Sequence, residues 1–210
     1  MNNIPSSGQP ADNDEARGPL NRDLITDAAI ALLDEVGFEK LSTRRLATRL
    51  GIQSASLYWH FRNKDALLDA MSARLYMTHI PEPKEPTRGF DWAGWLADGA
   101  RGIRSAALGT RDGSRIMIRS REDDPETQQR IARNAGVLQR YGFTEEEAHS
   151  ALRTLRRFTI GFALQEQYVV KNEQAMPGLG GAALFDFSLD LIIQSLKKKV
   201  ADRETDLPES

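Results

Sequence analysis

Between residues 20 and 75 the chain opens and closes helices four times in quick succession, and a sequence punctuated this way folds as a compact bundle of short helices. Ile25, Ala29, Leu32 and Val36 recur at spacings of four, three and four, the period of an amphipathic helix. Asn21 caps its start, Leu20 and Ile25 flank the cap as a hydrophobic staple, and Gly37 stops it. Ser42 caps a second helix carrying Leu46, Ala47 and Leu50, and Gly51 ends it after about two turns. A third opens with Ser54 as its cap and runs toward Phe61, while Asn63 caps a longer fourth with Leu67, Leu68, Met71 and Leu75 on one face.

Prolines at 81, 83 and 86 then forbid a helix up to Gly89, which predicts a linker. Helical periodicity resumes over 91–108, 111–119, 125–141, 144–171 and 182–200, with the glycines at 178, 180 and 181 separating the last two. No strand-period alternation of any length appears, so the fold class is all-α. The expected organisation is a disordered arm over 1–19, a first domain over 20–80, the linker over 81–89, a larger second domain over 90–202 and a polar tail over 203–210.

A formal net charge of −2 means that any surface for nucleic acid must come from local clustering rather than an overall basic field. The lack of cysteine removes disulfides, thiolate catalysis and cysteine-bound zinc. With no leader-like apolar stretch and no run long enough to span a bilayer, the expectation is a soluble cytoplasmic protein with no membrane partner.

Two short helices joined by a glycine turn match the helix-turn-helix, whose second helix enters the major groove of DNA. Arg44, Arg45, Arg49, Arg62 and Lys64 lie in the same stretch with no acidic residue between Leu41 and Lys64, as a phosphate-binding footprint would. A solvated basic face on a small bundle would give the same charge pattern.

The stretch Leu41-Ser42-Thr43-Arg44-Arg45-Leu46-Ala47, then Leu50-Gly51-Ile52, then Leu57-Tyr58-Trp59-His60-Phe61-Arg62-Asn63-Lys64-Asp65-Ala66-Leu67-Leu68 closely resembles the DNA-binding domain of the TetR family, nearest its tetracycline-repressor branch. Fainter similarity continues in Arg111-Asp112-Gly113 and Phe158-Thr159-Ile160-Gly161. The resemblance implies an N-terminal three-to-four-helix helix-turn-helix domain and a larger C-terminal helical domain for ligand binding and dimerisation. It implies that Thr43 and Arg44 open the second helix against DNA, with Arg44 facing a guanine edge. Ser54, Ala55 and Ser56 then stand at base-reading positions, Tyr58, Trp59 and His60 at backbone contacts, and Lys64 at a phosphate clamp. Ser54 and Ala55 replace the branch's Gln and Pro, so the operator should differ. Tyr58 and Trp59 are adjacent and cannot both point inward; Leu57 and Phe61 read as core.

For the C-terminal domain the resemblance implies a cavity touched by Trp92, Trp95, Gly99, Ile103, Met117, Ser120, Asn134, Phe158, Phe162 and Gln165, any of which could equally be ordinary core. Met117 stands where the branch places a magnesium-binding histidine, and a thioether is no magnesium ligand. Ile80, Gly99, Ile103, Asn134 and Gln165 also replace drug-contacting residues, and only Ser120, at a threonine position, is conservative. The expectation is a cavity without cofactor or metal, taking an apolar or aromatic effector that carries at most a cation or one polar group.

His149 follows Glu145, Glu146 and Glu147, but acids at a helix start are favoured by the helix dipole, and no phosphate loop, HExxH or GxSxG pattern occurs. The chain is therefore read as no enzyme. It is read as a homodimeric repressor of a palindromic double-stranded operator, released by a small-molecule effector; the alternative is a partner-regulated or architectural DNA-binding protein without a ligand.

Overall fold

The computed structural model describes residues 20–79, 89–119, 125–171 and 181–205, all of them helix, turn or irregular, with no strand among them. The expected arm, most of the linker, the glycines at 178 and 180, the end of the tail, and the positions of Ile80 and Ser120 lie outside the described residues.

The first four helices are α1 (Arg22–Val36), α2 (Thr43–Leu50), α3 (Ser54–Tyr58) and α4 (Lys64–His79), with a turn of 3-10 helix at Phe38–Lys40 between α1 and α2. The anticipated caps form. Asn21 Oδ1 accepts from the Leu24 N–H at 2.8 Å, Ser42 Oγ from Arg45 at 3.3 Å and Asn63 Oδ1 from Ala66 at 2.8 Å. Gly51 ends α2 in the left-handed region at φ 70°, which glycine enters without penalty, and the Ile52 N–H closes the turn on the Ala47 carbonyl at 3.0 Å. One cap differs: Gln53, extended at φ −75° and ψ 143°, stands before α3 and makes no side-chain cap, so Ser54 is already inside the helix.

The remaining helices are α5 (Trp92–Gly109), α6 (Gly113–Met117), α7 (Pro125–Gln139), α8 (Glu145–Lys171) and α9 (Ala182–Thr205). The last runs past the expected start of the tail at 203. Thr144 and Glu147 form a capping box at the head of α8, each side chain accepting from the other's N–H at 3.3 and 3.0 Å. Glu147 also pairs with Lys199 at 3.1 Å, so this acid serves helix architecture.

Two apolar cores form, and they do not divide at the linker. The first joins α1 to α4 with Ala106 and Ala107 of α5, Ile116 and Met117 of α6, and Ile160 and Ala163 of α8. The second is built by the front of α5 with α7, α8 and α9, around a cluster in which Phe185 stacks on Phe158 at 5.4 Å and meets Phe162 edge-on at 5.3 Å. Helices α5 and α8 contribute side chains to both cores and so tie the two together.

The turn Arg111-Asp112-Gly113 locks the two parts together. Asp112 adopts φ 54°, which aims its carboxylate at the Phe38 N–H at 2.8 Å. Arg111 donates its N–H to Asp34 at 2.8 Å and its guanidinium to the Glu35 carbonyl at 3.0 Å. Gly113 is required by close approach, since a Cβ there would stand 2.6 Å from the Ala107 carbonyl oxygen. Asp112→Ala leaves the half-buried Phe38 amide without this acceptor, and an expected loss of about 1–3 kcal/mol, read by denaturant unfolding, follows; an unchanged midpoint would show that the turn is not a fastener.

Candidate nucleic-acid interface and interior cavity

The exposed edge of the first four helices is built around α3, which at five residues cannot hold itself together. Leu57 and Phe61 are 3 % and 4 % exposed and anchor it from below. Arg22 of α1 stacks over the Phe61 ring at 4.3 Å and donates to the His60 carbonyl, clamping the segment after α3 from the side. Sequence reasoning missed Arg22, because its partners lie 38 positions away.

With the anchors inside, the residues between them turn out. Tyr58 is 55 % and Trp59 89 % exposed, so both aromatic side chains reach solvent. Trp59 is the sort of exposed large apolar group that calls for a partner. Ala55 is exposed, and Ser54, Ser56 and His60 are half-buried on the same segment. Thr43 is half-buried at the first position of α2 and Arg44 is exposed beside it, with Arg44, Arg45, Ser42 and Thr48 bordering a shallow cleft.

The basic footprint is thinner than the sequence suggests. Arg49 spends its charge on Glu35, to which it donates at 2.7 Å. Lys64 is exposed, yet its ammonium donates to the Leu41 carbonyl at 2.8 Å and lies 5.7 Å from the Phe38 ring. That bond ties the head of α4 to the entrance of α2, and an ammonium has three protons, so the group can hold this carbonyl and still face a phosphate.

Farther in, α4, α5, α7 and α8 enclose a cavity of 110 Å³. Of the side chains expected to touch it, Trp95, Gly99, Ile103 and Asn134 line it. Four others do not. Trp92 packs edge-on against Phe143 at 5.1 Å, and Phe158 and Phe162 belong to the aromatic cluster with Phe185. Met117 is wholly buried in the first core, because the single turn of α6 directs it under α4. Gln165 is exposed and opens instead on a separate groove of 840 Å³ beside Tyr168 and Ile118.

Apart from Asn134, sequence reasoning did not find the polar part of the cavity, which adds Tyr76, Thr127, Arg130, Arg153 and Arg156. Arg156 is the junction. Its Nε donates to the Tyr76 hydroxyl of α4 at 2.8 Å and its Nη2 to the Met117 carbonyl of α6 at 3.3 Å. Tyr76 is 3 % exposed, and burial pushes its hydroxyl above the ordinary tyrosine range, against the opposing pull of the neighbouring Arg156 and Arg130 charges. Tyr76 therefore stays neutral. A hard divalent cation does not fit this wall: its polar groups are guanidiniums, a phenol, a hydroxyl and an amide, with no carboxylate or imidazole among the described residues. The matching methionine is buried elsewhere.

Residues 25–71 match the family model described as bacterial regulatory proteins, tetR family, and residues 83–180 the model for the tetracyclin repressor-like C-terminal domain. The chain is 42 % identical over 149 residues to the tetracycline repressor protein class A from transposon 1721 of Escherichia coli, covering 70 % of this chain and 68 % of that one. It resembles the solved structure of a class A TetR in complex with 5a,6-anhydrotetracycline and magnesium, with a TM-score of 0.72 and 36 % identity over 85 % of this chain and 99 % of that one. It also resembles BioQ with its natural double-stranded DNA operator, with a TM-score of 0.67 and 26 % identity over 85 % of this chain and 98 % of that one.

Proposed function

The chain belongs to the TetR family of bacterial regulatory proteins, and from that premise we propose that it represses transcription as a homodimer on a palindromic operator and is released by a small effector bound without magnesium. The observation that carries this reading is the position of Arg156, which borders the cavity and holds both α4 and α6. A molecule that takes hold of Arg156 competes with these bonds, and α4 is the helix that leads directly to the DNA-reading segment. An occupant that drew Arg156 away would change contacts that lead through α4 to α3, the kind of differential contact that allosteric control requires.

On DNA, α3 is the reading helix and the start of α2 its companion. Thr43, Arg44, Ser54, Ala55 and Ser56 face base edges, while Tyr58, Trp59, His60 and Lys64 hold the backbone. Arg44→Ala is expected to cost about 1–3 kcal/mol and to relax preference at one base pair, whereas Lys64→Ala weakens all sequences alike and lowers the salt slope by about one. Duplexes selected from a random pool, followed by titration of each variant across salt, measure both effects. Equal, sequence-independent losses would remove Arg44 from base reading.

A five-residue reader covers too little DNA to specify a site alone, and pairing across a two-fold axis doubles it. Helices α8 and α9 supply the pairing surface, with Tyr168 at 60 %, Phe187 at 63 % and Leu191 at 57 % exposure. Leu189, at first sight equally suited, is buried in its own subunit. Light scattering at micromolar concentration is expected to give twice the chain mass. A monomer with full operator binding would contradict the reading.

The function is tested as a whole by selecting a duplex and then seeking a compound whose binding both raises the melting temperature and releases that duplex. A compound that binds tightly and leaves the duplex bound would separate cavity from control.

A further inference from the structure

We propose that Arg111, Arg115 and Arg119 form a ladder that sets the angle at which each subunit presents its reading helix, and with it the spacing of half-sites that the protein accepts. The inference rests on the reading of the chain as a homodimer on a palindrome and adds what determines the spacing of that palindrome.

The three arginines stand four residues apart around α6, and on a helical path residues four apart lie on one side. Each crosses to a different element of the first four-helix unit. Arg111 donates its N–H to Asp34 and its guanidinium to the Glu35 carbonyl, both in the last turn of α1. Arg115 donates to Glu39 at 2.8 Å and stacks over the Phe38 ring at 4.3 Å, both in the 3-10 turn. Arg119 pairs at 2.6 Å with Asp65 in the first turn of α4. The backbone leaves room for the first rung: a Cβ on Gly37 would stand 3.1 Å from Arg111 Nε and 3.1 Å from Asp112 Oδ2.

A body held at one point turns about it, and a body held at two rolls about the line between them. Contacts on three elements oppose both motions. Ile116 and Met117 also pack against this unit, but apolar packing is not directional. Guanidinium bonds to carboxylates and carbonyls are directional. The carboxylates of Glu39 and Asp65 are largely exposed, and ion pairs of that kind add little to stability. What the rungs supply together is orientation.

Orientation matters at the DNA. The Phe38 ring that receives Arg115 also lies 5.7 Å from the Lys64 ammonium, and Asp65 follows Lys64 in the chain. Two rungs therefore end beside the residue read as the phosphate clamp. With about 10.5 base pairs in a turn of roughly 34–36 Å, one added base pair shifts a half-site by about 3.4 Å and rotates it by about 34°. A reading helix held in one attitude cannot follow that change, and a loosened one can.

The test uses the full chain, a palindromic duplex selected from a random pool, and the same duplex with one base pair added or removed at its centre. Fluorescence anisotropy at one salt concentration gives the ratio of the two affinities, in which the phosphate contribution common to both largely cancels. The parent is expected to lose about tenfold or more on respacing, and Arg115→Gln combined with Arg119→Gln less than about threefold, with a melting temperature close to the parent's. Arg119→Asp sets two carboxylates face to face and should be equally tolerant, while adding Asp65→Arg should bring the discrimination back. If the combined variant does not fold by circular dichroism, Arg119→Gln alone, which breaks one exposed pair, carries the same comparison. A folded variant that discriminates spacing as sharply as the parent, or that weakens both duplexes in equal proportion, would overturn the proposal and leave the dimeric reading standing. So would a charge swap that restores nothing. A parent that binds a single half-site as tightly as the palindrome removes the dimeric reading, and this inference falls with it.

Discussion

Leu57→Ala is expected to abolish useful DNA recognition while leaving most of the protein folded. Truncating a buried leucine costs about 2–5 kcal/mol when the site cannot collapse around the gap. Here the loss falls on a five-residue helix that has no stability of its own and depends on Leu57 and Phe61 beneath it. The second core, built around Phe185 and Leu138, does not touch Leu57 and should keep its cooperativity. Affinity for a selected duplex should therefore fall by well over tenfold, since a cost of even 2 kcal/mol exceeds the 1.4 kcal/mol that a factor of ten requires. Trp59→Ala makes the comparison, because at 89 % exposure its removal cannot disturb packing and any loss is lost contact. Circular dichroism and fluorescence anisotropy on the two variants distinguish the cases. If Leu57→Ala binds the duplex as well as the parent chain, α3 is not the reading helix.

What could be read from the sequence was mostly what is local. Asn21, Ser42 and Asn63 mark helix starts because each side chain bonds an amide three residues on, a contact written into the spacing itself. Ser54 misled for the same reason: a capping residue type stands there, but the chain enters the helix through an extended Gln53, one position earlier. Leu57 and Phe61 were legible as anchors, and the exposure of both Tyr58 and Trp59 follows once those two point inward. The cavity was harder to read, since its wall draws on α4, α5, α7 and α8 and its polar part lies up to 80 residues apart along the chain, as in the contact of Arg156 with Tyr76. A methionine that aligns with a ligand position carries no sign of whether it points into the cavity or under a neighbouring helix. The fastening of Asp112 to Phe38, 74 positions away, was visible in the sequence only as a tripeptide of faint family similarity, with no sign of its partner. Local rules identify elements; long-range packing decides which of their faces meet.

The second large effect is expected at the ion pair that joins α5 to α8. Arg104 and Glu166 have side chains only 19 % and 10 % exposed and share two parallel hydrogen bonds of 2.8 and 2.7 Å. Glu166 also accepts from the Gly181 N–H at 2.8 Å, so the same carboxylate tethers the residue just before α9. Arg104 lies 5.2 Å from the centre of the Phe185 ring and so covers the aromatic cluster as well. Removing one member of a buried pair leaves the other charge unmatched, at a cost of about 3–5 kcal/mol. For a chain of this size, Arg104→Ala should then lower the melting temperature by roughly 6–20 °C, taking about 2–4 °C per kcal/mol. The size of this loss would not by itself show that the pair stabilises the fold, because much of it is the penalty of the stranded carboxylate. Replacing both partners by leucine removes that penalty together with the attraction, and such exchanges are often neutral or better. The double variant is therefore expected to melt well above Arg104→Ala. Since α9 supplies much of the proposed pairing surface and Glu166 holds the residue before it, the single variant should also dissociate more readily in light scattering. An Arg104→Ala protein that melts within a degree or two of the parent would mean that water or a shift of α8 resolvates Glu166, and that α5 and α8 are held together by their apolar faces alone.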